Sequence, residues 1–341
     1  MRKDFYVYIF IPTHNSIETL NTTVESIERQ TYDKERLKVI FIDNASTDGT
    51  YQKELAYITG NPIMFSVIRE TIPTTNGRLL KKAIDALYYA KFRFYLFLSP
   101  GDILYPNSIE QNILLFNLNR TAQILASEVD VKYEDNRTEQ QPIFTDNCIL
   151  RPSVDRIQYY KAGIGHKVQV MFRRRCLNFV IKLPYYAQLA EYNDWISLVF
   201  YASAECIYTR EKSGCITIKK EKDPITRLIN KTFFIKRNFY AAETKVFSTM
   251  KADEVELEER SAGYHSLAVW ALQYALEEIK CDNHKLAQDC LTYAEMIDLN
   301  IVEEEEYQMA VLALHDPSNI PLLEEKLLQD SVEPPKECSL F

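Results

Sequence analysis

The sequence predicts an α/β fold with a mainly parallel sheet, followed by an all-α segment, and three observations predict it. The runs YIFIPTHN (from Tyr8), VIFIDNASTDGT (from Val39) and FRFYLFLSPGD (from Phe92) each pass from apolar to small or polar residues, the form of a buried strand spilling into a turn. The stretches between them carry apolar residues at helical spacing, and a β-α-β alternation requires parallel strands with helices on both faces. Charge and glycine content also change near residues 215–225. Residues 1–220 hold 28 Lys+Arg against 24 Asp+Glu and seven of the eight glycines, whereas residues 221–341 hold 12 against 24. A turn-rich first part and a glycine-poor, acidic second part mark two domains, 1–220 and 221–341.

Taken in order, residues 5–11 alternate and then run apolar, and form the first strand. Ser16 stands as a helix N-cap with Glu18 in the first turn of an amphipathic stretch that ends near Gln30. Residues 37–42 are the second strand. Thr47 caps a helix reaching about Ile58, and Gly60-Asn61-Pro62 stops it before a third strand at 64–69. Residues 79–90 are helical by composition, and 94–98 are the fourth strand. A helix at 109–119 and a strand at 122–133 follow, then a polar loop over 134–145. Residues 168–172 read as a strand returning to the sheet, residues 186–204 repeat at helical spacing with Asp194 near the start, and 207–218 supply the last strand. From Ile225 onward the pattern is helical throughout: 225–250, 252–279, 284–299, 303–315 and 320–328.

Hydrophobic content of 46% with 12% aromatic residues is ample for packed interiors. The N-terminus enters a strand at once, so no signal peptide is expected, and no stretch approaches the roughly 18 uninterrupted apolar residues that a membrane span needs. The seven cysteines are odd in number, scattered and never in a C-x-x-C arrangement. That argues against a disulfide framework or structural zinc and for reduced thiols in a cytoplasm. The acidic surplus of the second part reads as a solubilising face.

In an open α/β sheet, ligands bind at the carboxyl ends of the strands. If the three apolar strands are neighbours, their tips make one pocket. Over roughly residues 5–215 these strand ends resemble the inverting family 2 of nucleotide-sugar-dependent glycosyltransferases, which have the GT-A fold. The resemblance implies that Pro12, Thr13, His14 and Asn15 on the first tip, with Asp43 and Asn44 on the second, hold the nucleobase and ribose. His14 would pack beside the base, and Asn44, where the family often has a second Asp, would donate and accept bonds to a uracil-like edge. The third tip implies a metal motif. Where the family has Asp-x-Asp-Asp this chain has Ser99-Pro100-Gly101-Asp102, which leaves Asp102 as the carboxylate for a Mg²⁺ or Mn²⁺ bridging the two phosphates.

Moving a glycosyl group requires a base for the acceptor proton, positive charge on the departing diphosphate and a fixed sugar. The resemblance places the base on the Asp of an acidic dipeptide, here Asn193-Asp194, and so on Asp194. Cations for the diphosphate are Arg78, Lys81 and Lys82, where the family often has Ala-Arg-Asn, and Arg173 to Arg175, where it has a basic run. Plainer readings stand beside these: Asp43 as an Asx turn, Asp102 as a turn residue before Pro106, Asp194 as a helix N-terminal residue, and the cations as solvated surface.

The function that follows is transfer of a sugar from a nucleotide-sugar donor to a surface-polysaccharide, lipid-linked or protein acceptor, in the cytoplasm, either free or at the inner face of the membrane. The alternative is a non-catalytic nucleotide-sugar-binding or assembly module on the same fold. A nucleotidyltransferase would want a Gly-rich, Lys-containing loop after the first strand that this sequence lacks, and no nucleic-acid partner is expected. The basic, aromatic stretch 227–240 suits either an anionic membrane surface or packing on the neighbouring domain. Tyr264, Leu267, Trp270 and Tyr274 crowd one helix face, and self-association through the C-terminal helices is the expectation.

Overall fold

A computed structural model describes residues 6–74, 78–79, 82–83, 85, 90–133, 138–139, 144–151, 167–176, 205–218 and 257–329. The first half of the sheet is parallel. Strands β1 (Val7–Thr13), β2 (Leu37–Asn44), β3 (Phe65–Glu70) and β4 (Phe94–Phe97) lie in the order β3-β2-β1-β4, as the β-α-β alternation requires. The three expected tips therefore stand side by side, with β1 in the middle. The order runs out from β1 in both directions, which makes its carboxyl end the switch point where such sheets open a crevice.

The second half is mixed. It is built from β5 (Ile103–Leu104), β6 (Ile124–Tyr133), β7 (Thr138–Glu139), β8 (Cys148–Leu150), β9 (Val170–Arg173) and β10 (Cys206–Ile218). β9 inserts antiparallel between β4 and β6, β10 runs parallel to β6, and β5 closes the edge antiparallel to β10. The expected strands at 122–133, 168–172 and 207–218 are present. The two-residue β5 and three-residue β8 are too short to carry a periodicity of their own.

The central strands read as continuous apolar runs because both faces of the sheet are covered. On one face Val7, Ile9, Ile11, Val39 and Phe41 pack with α1 (Leu20–Glu28), α2 (Thr50–Gly60) and α3 (Ser108–Leu118). On the other, Phe10, Ile40, Ile42, Tyr95 and Phe97 pack with Leu79, Ala83, Phe144 and Tyr208. Stacked ring pairs, Phe10 with Phe97 and Phe41 with Phe65, lie on opposite faces. Each such side chain, once buried, contributes roughly 1.5–3 kcal/mol. Two helix starts differ from expectation. α1 begins at Leu20, after a turn in which the Ser16 carbonyl accepts the N–H groups of Thr19 and Leu20. α2 begins at Thr50 behind Gly49, whose φ of 99° favours glycine, and Asp48 rather than Thr47 accepts the Thr50 N–H.

The described C-terminal helices are α4 (Leu257–Lys280), α5 (His284–Ile297), α6 (Glu305–His315) and α7 (Ile320–Gln329). They follow the expected segments closely. α4 packs on the other three through small buried residues, Ala268, Ala271, Ala275, Ala287, Ala294, Ala310 and Ala313, which let the helices approach closely around Leu272, Leu291 and Leu323. Pro321 sits in the first turn of α7, where it costs no helical hydrogen bond. Tyr274 packs on this core, while the side chains of Leu267 and Trp270 lie outside the described set, as does the whole of 227–240. Among the described residues no helix is long and apolar enough to cross a membrane.

Candidate functional site

The rim of β1, β2 and β4 is a knot of short polar side chains. Register pairs Thr13 with Asp43 and Asp43 with Arg69, so these three stand in one row across β1, β2 and β3 on the face that α2 covers. Asp43 is fully buried in the middle of the row. Its Oδ1 accepts the Ser46 N–H at 3.2 Å, and its Oδ2 lies 3.5 Å from Arg69 Nε. The Arg69 guanidinium stacks on the Tyr51 ring at 3.7 Å, which presents a partly exposed planar cation beside the buried carboxylate.

Many of the polar residues on these tips bind one another. Asn15, at φ 48°, donates its N–H to Ser46 Oγ at 3.0 Å, and its side-chain oxygen accepts the Thr47 N–H at 2.9 Å. The Ser16 N–H goes to Thr50 Oγ1 and the Ile17 N–H to Asp48 Oδ2. His14, exposed on the rim, donates from Nδ1 to the Asn44 carbonyl at 2.8 Å. The Asn44 amide is spent as well: its Nδ2 donates to the Thr74 carbonyl at 3.1 Å and its Oδ1 accepts the Thr74 N–H at 2.8 Å. That two-point pairing prolongs the β2–β3 ladder past the strand ends, and it uses the same amide edge that the resemblance assigns to a nucleobase.

The third tip is a tight turn. Gly101 sits at φ 101°. The Ser99 N–H donates to Asp102 Oδ2 at 2.7 Å and the Asp102 N–H to the Ser99 carbonyl at 2.9 Å. Thr23 of α1, fully buried, pins this turn: its hydroxyl accepts the Gly101 N–H and donates to the Asp102 carbonyl, both at 2.8 Å. Burial pushes the Asp102 carboxyl up to about 6, against the opposing pull of the Ser99 N–H and of the Lys167 charge. Among the described residues no three His, Cys, Asp or Glu side chains group as a metal site. One carboxylate fits only a cation that draws its other ligands from a bound phosphate and from water.

The cations fall differently from expectation. Because β9 runs antiparallel to β4, its last residue, Arg173, pairs with Phe94 at the amino end of β4, far along the strand from the rim. Arg173 is buried there, with Nε donating to the Ala122 carbonyl at 2.7 Å and Nη2 to the carbonyls of Phe116 and Asn119. The structure thus does not bring Arg173 to the rim with the other site residues. The same antiparallel direction carries the turn before β9, Lys167–Gln169, to the carboxyl end of β4, where the Lys167 charge reaches Asp102. Arg78 is exposed and helical, Lys82 pairs with Glu70, and Lys81 and Asp194 lie outside the described residues.

Four contributors escape the motif reading: Lys167, Thr23, Arg69 and Glu54. The last descends from α2 to accept the Thr13 hydroxyl at 2.7 Å. A signal for Glu54 exists, since Thr50 and Glu54 are one helical turn apart and both fully buried.

A model of the family described as "Glycosyl transferase family 2" matches residues 8–180. No curated protein sequence matches the chain significantly. Solved structures share its fold. TarS from S. aureus, residues 1–349 in complex with UDP-GlcNAc, is 15% identical over 96% of this chain and 92% of that one, with a TM-score of 0.58. The mannosyltransferase PcManGT from Pyrobaculum calidifontis, in complex with GDP-Man and Mn²⁺, is 13% identical over 96% of this chain and 89% of that one, with a TM-score of 0.54.

Proposed function

The chain belongs to glycosyl transferase family 2 and has the GT-A fold of a nucleotide-sugar glycosyltransferase, and from that premise we propose an inverting transfer to a surface-polysaccharide, lipid-linked or protein acceptor with Asp194 as the base. The observation that carries the donor half of this reading is the adjacency of the three tips, with buried Asp43 on one and Asp102 on another. The nucleobase meets Asp43 and the Arg69–Tyr51 stack. The ribose lies over the β1 tip, Pro12 to Asn15. The diphosphate points toward Asp102, with Lys167 and Arg78 supplying positive charge and Lys81 as a further candidate.

The acceptor oxygen forms its bond to the anomeric carbon as the bond from that carbon to the diphosphate oxygen breaks. The electron pair leaves on the diphosphate, and the hydroxyl proton passes to the Asp194 carboxylate. Attack opposite the leaving group inverts the centre. A Mg²⁺ or Mn²⁺ at Asp102, once bound, supplies charge that neutralises the departing diphosphate. The C-terminal helices, residues 221–341 in this reading, form a domain for self-association or for contact with the acceptor's surroundings at the inner face of the membrane.

A panel of UDP-, GDP-, CDP- and dTDP-sugars, assayed for thermal shift with and without Mn²⁺, tests the donor, and no shift with any of them would count against it. Asp194→Asn is expected to keep donor affinity and to lower the rate of sugar transfer or donor hydrolysis by roughly 10²–10⁴. An unchanged rate would remove Asp194 from the mechanism.

A further inference from the structure

Beneath the row Thr13–Asp43–Arg69 sits a second carboxylate that the transfer chemistry does not use. Glu54 is fully buried, as is Asp43. Glu54 Oε1 accepts the Thr13 hydroxyl, and Glu54 Oε2 and Asp43 Oδ2 are each buried without a hydrogen-bond partner. The charged groups that act on Glu54 are Asp43 from β2, Arg69 from β3 and Asp48 from the turn before α2, while β1 faces it with the uncharged Thr13 hydroxyl. Asp48 is exposed and already holds the N–H groups of Ile17 and Thr50. On α2 itself, Tyr51 lies under Arg69, and Lys53 donates to the Ile17 carbonyl.

Two buried carboxylates beside one partly exposed guanidinium do not both ionise cheaply, because desolvation and mutual repulsion act against the second charge. Asp43 accepts the Ser46 N–H and pairs with the Arg69 guanidinium. Glu54 has one hydroxyl. The proton of the pair therefore belongs on Glu54, and desolvation, aided by the Asp43 charge, pushes its carboxyl up to about 7.

We propose that Glu54 is a positioning residue of the donor site, which works as a neutral acid so that Arg69 stays with Asp43 and the nucleobase. The proposal rests on the rim being the donor site. Once Glu54 loses its proton, a second negative charge competes for Arg69, the Thr13–Asp43–Arg69 row loosens, and the donor binds more weakly. Proton uptake and donor binding are then linked.

The test is calorimetric titration of UDP-N-acetylglucosamine and GDP-mannose into the full-length wild type and Glu54→Gln across neutral pH. The pyrophosphate diester of a nucleotide-sugar has no phosphate proton to lose in this range, so any slope belongs to the protein. Wild-type affinity is expected to fall above about pH 7, approaching tenfold per pH unit. Glu54→Gln, isosteric with the neutral acid, should hold the wild type's low-pH affinity throughout, with an unaltered melting temperature on the acid side to certify its fold. A slope from any other group survives in Glu54→Gln. Donors that bind with the same pH profile in both proteins overturn the proposal alone, as does loss of binding in Glu54→Gln below pH 7. Failure of every nucleotide-sugar to bind the wild type at any pH overturns the donor reading, and this proposal with it.

Discussion

In the proposed donor site, the side assigned to the nucleoside and the side assigned to the phosphates are held in different ways. On the nucleoside side, Asn15, Ser16, Ser46, Thr47 and Asp48 cross-link β1 to β2 through many short hydrogen bonds, and Asn44 ties the segment after β3 to the same edge. On the phosphate side, one residue of α1, Thr23, fixes one glycine turn. The first arrangement is a rigid platform in which the pair of Asp43 with the stacked Arg69 is the charged feature. The second holds a single carboxylate whose charge burial disfavours. A platform suits recognition of a rigid base, whereas a lone carboxylate of raised proton affinity suits a cation that arrives with its own phosphate ligands.

Both sides carry a proton that the unfolded chain would give up, and this produces the largest expected effect on the unliganded protein. Burial raises Asp102 to about 6 and Glu54 to about 7. Folded protein therefore binds more protons than unfolded protein between the ordinary carboxylate range and those values, and stability falls as pH rises through that window. The favourable contribution is complete below the unfolded values and gone above about pH 7, on the order of 3 kcal/mol at most for each group. Chemical denaturation against pH should show Asp102→Asn flattening the acid part of the slope and Glu54→Gln the near-neutral part. A flat wild-type profile between pH 4 and 7 would contradict both assignments.

Thr23→Val comes next. It strands the partly buried Gly101 N–H and costs about 1–2 kcal/mol. Because only the third tip depends on Thr23, KM for the nucleotide-sugar should rise while affinity for the free nucleoside holds; equal loss of both would erase the distinction between the two sides. The smallest effect is expected for Asn44→Ala. Losing the Thr74 pairing costs about 1 kcal/mol of stability, with nucleoside affinity changed less than about threefold. A tenfold loss would return Asn44 to the base-binding role that its position suggests.

The parallel half of the fold was legible because its strands are continuous apolar runs with one end marked by polarity, and the C-terminal helices because their spacing and prolines agree. The direction of β9 was not. Nothing within residues 168–173 says whether they lie parallel or antiparallel to β4, since direction is set by the partners and the connection. That single fact decides whether Arg173 or Lys167 meets the site. Asp43 and Asp102 stood out by position at a strand end. Glu54 did not, because in YQKELAYIT it looks like a solvent-facing helix residue, and only the fully buried Thr50 one turn before it marks the inward face. Asn15 and Asn44 resemble ligand groups for the reason that makes them good cross-links: short polar side chains at a turn find backbone partners first.

Two sides that hold opposite ends of one ligand make separable contributions to its affinity, which a double-mutant cycle resolves. Calorimetry would compare wild type, Asp43→Ala, Asp102→Asn and the double variant, using the nucleoside alone and the matching nucleotide-sugar with Mn²⁺. The nucleoside should lose roughly 10- to 100-fold in affinity with Asp43→Ala and nothing with Asp102→Asn. The nucleotide-sugar should respond to both, with effects that add to within about 0.5 kcal/mol. Equal sensitivity of the free nucleoside to Asp102→Asn, or indifference of both ligands to Asp43→Ala, would show that the two sides do not share one ligand.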